Sequence, residues 1–440
     1  MESKIIHIGF DDTDSPKGMC TTYLAYRIVN QLKKERVDFL DFPRLIRLNP
    51  NIPWKTRGNG AVGIKIATTN PQKIKRLIKN LIKKYADIRN GANPGVVFFE
   101  EEKIPNNFQK FSAKALWKLI QRNDAKIFIG KNKLESFHLG NGQGLVGAIG
   151  AIGYKFSDHT YELLSYRMKS KFGLKRKIDK NLVKIMQETT YPNTSNSYAK
   201  SRGKILITPN GPDPVFFGIR GENPSVLISA ADLIKPDEKL DGYLIFKSNQ
   251  GTGDHLKNKI DVNTFEPYTS GIMEGIVESQ PIVLPGGHVT FSINCKNKII
   301  NCYLYKPTKI THVATSLIKG DKILVGGGIR KATKNFDRSL NIEFLKPLKL
   351  QNQVKQRNPY CKLCKKHMKS KGKDQGFQCI HCGKKSNGKI LQTIPRKISK
   401  KMYIPTTSAH RHLTKPIQRF SRKNNKNHFS KKIQWCSNSY

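Results

Sequence analysis

The chain has 440 residues, with 79 Lys and Arg against 32 Asp and Glu, for a formal net charge of +47. That length favours several domains over one core, and the basic surplus draws polyanions while opposing compact self-association. No stretch of eighteen apolar residues and no apolar N-terminal leader pattern occurs, which excludes a membrane-spanning helix and gives the expectation of a soluble, cytoplasmic protein with no membrane partner. Nucleic acid is the expected partner class, although a ribosomal or chromatin protein, or a genome that favours Lys, carries similar charge.

In chain order, Lys4 to Phe10 reads as a short apolar strand running into the acidic loop Asp11-Asp12-Thr13-Asp14-Ser15. Tyr23 to Lys34 has helical periodicity with a basic end. Val37 to Leu48 is extended, Ala61 to Ala67 a strand, Pro71 to Tyr85 a basic amphipathic helix, Gly95 to Phe99 a strand and Ser112 to Gln121 a closing helix. This alternation predicts an α/β domain over 1–125. A second domain is expected over 126–260, where strand–helix alternation suits a ferredoxin-like α+β sandwich. It contains the glycine-rich run Gly140 to Gly153, which serves equally as a close approach to a ligand or as a helix packed tightly on a sheet.

From 265 to 350 the pattern changes to short alternating strands: Gly271 to Val277, His288 to Ile293, Ile299 to Tyr305, Ile323 to Val325 and Leu340 to Phe344. Pro285-Gly286-Gly287 and Gly326-Gly327-Gly328 punctuate them. Five strands without helical periods predict an OB-fold barrel, with another small β-module as the alternative. From Gln351 onward Asp374 is the only acid.

Cys361-x2-Cys364 and Cys379-x2-Cys382, with fourteen residues between the pairs, are the strongest local signal. Each CxxC turn presents two thiolates on one side, and two such turns supply closed tetrahedral ligation for Zn²⁺. So few apolar residues lie between them that the metal must supply the stability. A zinc ribbon is therefore expected over 351–395, followed by a basic extension over 396–440. His367 and His381 are not expected to be ligands. Cys20, Cys295, Cys302 and Cys436 read as small buried residues.

Asp11, Asp12 and Asp14, at the end of a strand and before a helix, offer hard oxygens suited to Mg²⁺ on a nucleotide's phosphates. Gly18 to Thr22 opens a helix whose first amides favour phosphate. Ordinary turn and N-cap chemistry is the competing explanation. No Walker A pattern occurs, so a P-loop enzyme is not expected. Asp158 and Glu162 flank Tyr161, either as holders of a small cation or as solvated surface acids.

Taken together, these strings resemble one family over almost the entire chain: the archaeal tRNA-isoleucine 2-agmatinylcytidine synthetases. The resemblance rests on Gly9 to Ser15, Gly18 to Leu24, Phe42 to Pro50, Lys55 to Ala61, Asn93 to Val97, Gly144 to Ala148, Tyr161 to Leu163, Pro214 to Gly221, Ser248 to Leu256, the two CxxC turns and Tyr403 to Arg419, in that order. It implies a kinase-like first domain, then the ferredoxin-like domain, OB-fold and zinc ribbon. The implied reaction uses ATP to phosphorylate the C2 oxygen of the wobble cytidine in the CAU anticodon of an isoleucine tRNA. Agmatine then displaces that oxygen, so that the tRNA decodes AUA. The family also splits ATP to AMP and phosphates and phosphorylates a threonine of its own, which by motif position is Thr21.

On that resemblance Asp11, Asp12 and Asp14 hold Mg²⁺, and Gly18, Arg44, Arg47 and Arg57 serve the phosphates. Asp158 and Glu162 receive the cationic amine. No protein partner is implied. Gly253 stands where an aspartate is expected, Asp213 where the family often has cysteine, and His410 where an arginine is expected. The chain beyond Arg419 is expected to be a disordered RNA-binding extension. The rival reading is a non-catalytic OB-fold and zinc-ribbon protein that binds RNA or single strands; it leaves the acidic loop without a purpose.

Overall fold

The computed structural model describes residues 2–426, 428–430 and 432–438. It divides into two compact units. One comprises Met1–Ile272, Gly326–Arg338 and Pro405–Tyr440, the other Met273–Val325 and Ser339–Ile404.

The first unit is built on one mixed sheet. Its strands run, in spatial order, Glu135–His138, Gly95–Phe99, Lys4–Asp11, Gly60–Thr68, Arg44–Arg47, Leu240–Ser248, Thr160–Arg167, Val215–Gly221 and Thr194–Ser195. Neighbours are antiparallel except where Arg44–Arg47 meets Leu240–Ser248, with Lys247 opposite Arg44 and Ser248 opposite Leu45. Alternate side chains feed two cores, as the period of a strand requires. From Gly95–Phe99, Val96 and Phe98 join the cluster under helix Thr21–Lys34, whereas Val97 and Phe99 pack with Phe108, Leu145 and Ile149 on the other face. Both faces of these strands are covered, so they read as near-continuous apolar runs.

The glycine-rich run forms the wholly buried helix Gly144–Gly153. A Cβ on Gly9 would fall 2.0 Å from the carbonyl oxygen of Ala148, so the helix sits directly on the strand backbone.

Three expectations change. The region 112–121 is the end of one helix, Asn106–Trp117, followed by another, Arg122–Lys131, opened by the reciprocal Gln121–Asp124 capping box. The expected division at 125/126 therefore falls inside a helix, and Glu135–His138 adds to the first strands of the sheet. Val37 to Leu48 is broken into Asp38–Phe39 and Arg44–Arg47; the break contains Pro43, which has no N–H to give a ladder.

The segment after Arg419 is also more than a free extension. Trp435 is 7% exposed and packs edge-on against Phe39, with centroids 5.1 Å apart; Phe429 packs against Phe42. Cys436–Ser437 pairs with Leu240–Ser248, placing Ser437 opposite Tyr243. Basic composition hid this because a few large apolar side chains are enough to dock a short segment. Residues 427, 431, 439 and 440 of that expected extension lie outside the described residues.

The second kind of structure is a five-stranded β-barrel of Ser270–Val277, Val289–Cys295, Lys298–Leu304, Lys322–Arg330 and Ser339–Lys349, with the two-residue strand Ile282–Val283 added on Val289–Cys295. Numbered in chain order, the five close as 1-2-3-5-4-1, with the third and fifth parallel. After it, Gln353–Arg357 and Ile390–Ile394 form a ladder that encloses short hairpins bearing the CxxC turns.

Candidate active site

The acidic loop is a strained turn. The strand Lys4–Asp11 ends opposite Gly95, and Asp12 then adopts φ +57°, as does Met19 at +56°. Left-handed backbone at non-glycine residues persists where surroundings enforce it, commonly at functional sites. Ser15 and Gly18 exchange backbone hydrogen bonds of 3.1 and 3.3 Å, closing the turn before helix Thr21–Lys34. Inside it Thr13 Oγ1 donates to Thr21 Oγ1 at 3.1 Å.

Arg57 locks this turn in place. Its Nη1 lies 3.2 Å from Asp14 Oδ2 and donates to the Met19 carbonyl at 2.5 Å. Its Nε lies 3.9 Å from Asp213, which also faces Arg176 at 3.5 Å. Thr56 donates to Asp14 Oδ1 at 3.0 Å. Asp213, expected as a departure from the family pattern, thus sits between two arginines.

A cavity of about 420 Å³ opens over the loop. Its lining includes Asp11, Asp12, Asp14, Thr21, Arg47, Arg57, Gln143, Glu162, Asp213, Arg220 and His412. The starts of two helices, Thr21–Lys34 and Gly144–Gly153, reach it with their positive dipole ends; the first amides of the second are already bonded to the carbonyls of Asn93, Gly142 and Gln143. Burial pushes the Asp11 carboxyl up to about 8, with Asp12 beside it adding to the effect. Burial and then Asp14 raise Asp12 to about 6. Asp14 is raised by burial, against the pull of Arg57.

The three carboxylates do not converge. Asp14 is spoken for by Thr56 and Arg57. A Cβ on Gly147 would meet Asp11 Oδ2 at 1.9 Å, so that carboxylate lies against the helix backbone.

Across the cavity, Glu162 on Thr160–Arg167 is opposite Arg220 on Val215–Gly221, with Oε1 accepting from Nε at 2.9 Å. Arg47 approaches to 3.6 Å, and Gln250 donates to Oε2. Burial would raise this carboxyl, but Arg220 and Arg47 bring it below the usual range. His412 completes the wall, its Nδ1 2.8 Å from Arg220 Nη2. The same Nδ1 of His412 lies 2.9 Å from Gln250 Oε1. Burial first, then Arg47 and Arg220, hold its pKa well below the usual value.

Asp11, Asp12, Asp14, Thr21, Arg47, Arg57 and Glu162 therefore share one cavity. Three expected residues stand apart from it. Arg44 pairs with Asp41 at 3.3 Å and lies over Phe156. Gly18 contributes its carbonyl to Arg57 at 3.4 Å from within the turn. Asp158 is 3% exposed and bound to Arg419 at 2.8 Å; Arg419 also bonds Glu222 at 2.6 Å and the Gly251 carbonyl.

Sequence reasoning does not assign Asp213, Arg220, Gln250 and His412 to the site. The strings Pro214 to Gly221, Ser248 to Leu256 and Tyr403 to Arg419 are the signal nearest to them, because no local period or spacing points from residue 162 to 220, 250 or 412. Gly253 has φ +74°, where glycine is unstrained, and His410 accepts from or donates to Asn196 and lies 2.9 Å from the Pro405 carbonyl.

In the other unit, the sulfurs of Cys361, Cys364, Cys379 and Cys382 all lie within 4.8 Å of one another, and this is the one group of its kind among the described residues. Tetrahedral ligation at about 2.3 Å per Zn–S bond requires sulfurs that close together. The donor set fits Zn²⁺, and the site is a four-cysteine zinc ribbon. His367 instead places Nδ1 2.9 Å from the Asn358 carbonyl.

These features define a multidomain α/β enzyme that carries a β-barrel and a four-cysteine zinc ribbon. Models described as the TiaS TCKD domain, the TiaS FLD domain and the TiaS C-terminal zinc ribbon domain match residues 7–77, 142–255 and 358–398. The chain belongs to the TiaS family. It is 46% identical to the isoleucine-tRNA 2-agmatinylcytidine synthetase TiaS of Cenarchaeum symbiosum, covering 95% of this chain and 93% of that one. It is 38% identical to the Thermococcus sibiricus protein of the same name, covering 94% and 95%. The crystal structure of apo TiaS superposes with a TM-score of 0.86 at 33% identity, covering 96% of this chain and 99% of the other. A TiaS complex with its isoleucine tRNA, AMPCPP and agmatine superposes with 0.83 at 32%, with the same coverage.

Proposed function

We infer that this chain is an isoleucine-tRNA 2-agmatinylcytidine synthetase, a ligase that uses ATP to join agmatine to C2 of the wobble cytidine. Within the chain, the observation that carries the assignment of the site is the single cavity holding the acidic loop, Thr21, Arg57 and Glu162. Two helix starts and Arg57 suit ATP phosphates. Asp11 and Asp12, which repel one another in a buried setting, suit one Mg²⁺, an ion commonly held by one or two carboxylates plus substrate phosphates. Such an ion would neutralise charge on the transferring phosphoryl group. Asp14, already neutralised, serves to fix Arg57, and Arg57 then faces the developing charge. Thr21 is the candidate for self-phosphorylation.

The reaction needs two displacements. Phosphoryl transfer to the base oxygen turns a poor leaving group into a good one. Attack of the agmatine nitrogen then forms C2–N, breaks C2–O and releases phosphate with the former base oxygen. The amine's guanidinium needs a carboxylate. Glu162 is in the cavity, but a guanidinium must replace one of its arginines. Asp213 has a buried Oδ2 without a hydrogen bond and shares the cavity, so it joins Glu162 as a candidate. Asp158, held by Arg419 outside the cavity, is a weaker candidate than Glu162.

The barrel's strand order and parallel third and fifth strands support an OB-fold reading, and the strands before and after the helix Gly144–Gly153 are read as the kinase-like and ferredoxin-like parts of one sheet. The barrel, ribbon and basic surface serve tRNA. Among the described residues no helix is long and apolar enough to cross a membrane, and a cytoplasmic site of action suits the substrate. Incubation with ATP, labelled agmatine and the CAU-anticodon tRNA transcript, followed by nucleoside analysis, tests the whole reading. Absence of label in the wobble nucleoside refutes it.

A further inference from the structure

We propose that Trp54 is the stacking platform on which the reacting cytidine base settles at the mouth of the cavity. The inference rests on the tRNA-modifying function above.

Trp54 lines the cavity and is 48% exposed, and among the described residues no aromatic ring packs against it. The other two tryptophans are used for packing: Trp435 is buried, and Trp117 rests on the cluster of Ile46, Leu48 and Tyr154. Its indole offers a broad apolar face with a single N–H donor, the kind of surface on which another planar ring can stack.

The loop that carries it is nonetheless well anchored. Leu48 donates to the Asn59 carbonyl at 2.9 Å, and Asn59 Nδ2 returns to Asn49 at 2.8 Å. Asn51 donates to Ser270 and accepts from Arg411, each at 2.7 Å. Two and three residues after Trp54, Thr56 and Arg57 hold Asp14. A rigid loop thus presents a bare aromatic face beside the phosphate-handling group, with the cation Lys55 next in sequence.

A cytidine taken out of an anticodon loop loses its stacking neighbours and needs a replacement face while its C2 oxygen is brought to ATP. An indole supplies one without reading the base edge, which stays free for the chemistry.

The test is a double-mutant cycle. Binding of the normal tRNA, and of the same tRNA abasic at the wobble position, is measured for the parent, Trp54→Ala and Trp54→Phe, with melting temperature as the fold control. Stacking on an aromatic contributes roughly a ten- to hundredfold in affinity. Trp54→Ala is expected to lose that much on the normal tRNA, Trp54→Phe to recover most of it, and the parent and Trp54→Ala to bind the abasic tRNA equally. An equal loss on both tRNAs, or none on either, overturns the proposal. Failure of the functional reading itself would show differently, as a parent protein that leaves the normal tRNA unmodified.

Discussion

Arg57 stands 3.2 Å from Asp14, and this ion pair separates the acidic loop into one neutralised carboxylate and two that remain available. The same guanidinium holds the carbonyls of Met19 and Gly18, so the turn before Thr21 depends on it. Arg57→Ala is expected to lower ATP breakdown by about a hundredfold or more, the scale seen when one preorganised donor is removed. Arg57→Lys should recover little, because a lysine cannot span Asp14, Asp213 and two carbonyls. ATP hydrolysis by both variants, beside retention of tRNA on filters, decides it. Near-normal hydrolysis by Arg57→Ala would reduce the residue to a surface cation.

Asp12→Asn isolates charge from backbone strain. Asn tolerates the left-handed conformation that Asp12 adopts at φ +57°, so the turn should survive the change. Loss of the anion should abolish ATP breakdown and agmatine attachment, while tRNA affinity holds, since removing negative charge does not weaken attraction to RNA. Thr21→Ala should eliminate self-phosphorylation. An Asp12→Asn protein that still modifies tRNA at the parent rate would make the loop a structural turn.

The legible parts of this molecule were those set by local pattern. The strand–loop–helix around Asp11 to Lys34 follows from an apolar run, clustered turn residues and helical periodicity. The zinc ribbon follows from cysteine spacing, and the barrel strands from alternation. The far wall of the cavity was not legible, because it is assembled by pairing between distant strands. Arg220 meets Glu162 through sheet register, and His412 arrives on a segment that follows the ribbon in sequence. Arg44 and Arg47 illustrate the converse. They stand three residues apart in one short strand, so alternation sends their side chains to opposite faces. Arg47 reaches the cavity and Glu162, whereas Arg44 pairs with Asp41.

The ribbon should hold one Zn²⁺ per chain. Its hairpin strands are only two residues long, and its buried cluster is little more than Cys361, Met368, Phe377 and Cys379, too small to fold without metal. Cys379→Ser should cut zinc content to near zero by elemental analysis and make residues around 358–395 rapidly protease-sensitive. Stoichiometric zinc in that variant would mean that the metal is elsewhere.

The docked C-terminal segment makes a stability prediction. Trp435 is buried against Phe39 and Phe42, and Lys33 lies 4.9 Å from its ring centroid. Trp435→Ala is expected to cost about 3–5 kcal/mol, read as a drop in melting temperature or denaturant midpoint. A truncation after Arg419 should destabilise the chain as well as remove basic charge. If Trp435→Ala melts with the parent, the segment is not docked in solution.

Gly147→Ala tests the placement of Asp11 without touching a charged group. Alanine in a helix interior is normally favoured over glycine by about 1 kcal/mol, so propensity alone predicts a more stable protein. Here the added Cβ falls 1.9 Å from Asp11 Oδ2 and 2.7 Å from Asp11 Cβ. The helix has little room to retreat, since the same close packing brings Ala148 against Gly9. The carboxylate must swing away, and the expected result is a loss of ATP breakdown by about tenfold or more with about 1–3 kcal/mol of destabilisation, the usual scale of overpacking. Gly150→Ala is the matched control on the same helix: its nearest neighbour would be the Leu48 Cδ2 at 3.3 Å, the end of a flexible side chain. That variant should keep zinc, fold and ATP breakdown close to the parent. Equal activity of the two variants would show that the position of the Asp11 carboxylate does not matter to ATP use, and the nucleotide site would then have to be built on Asp12 alone.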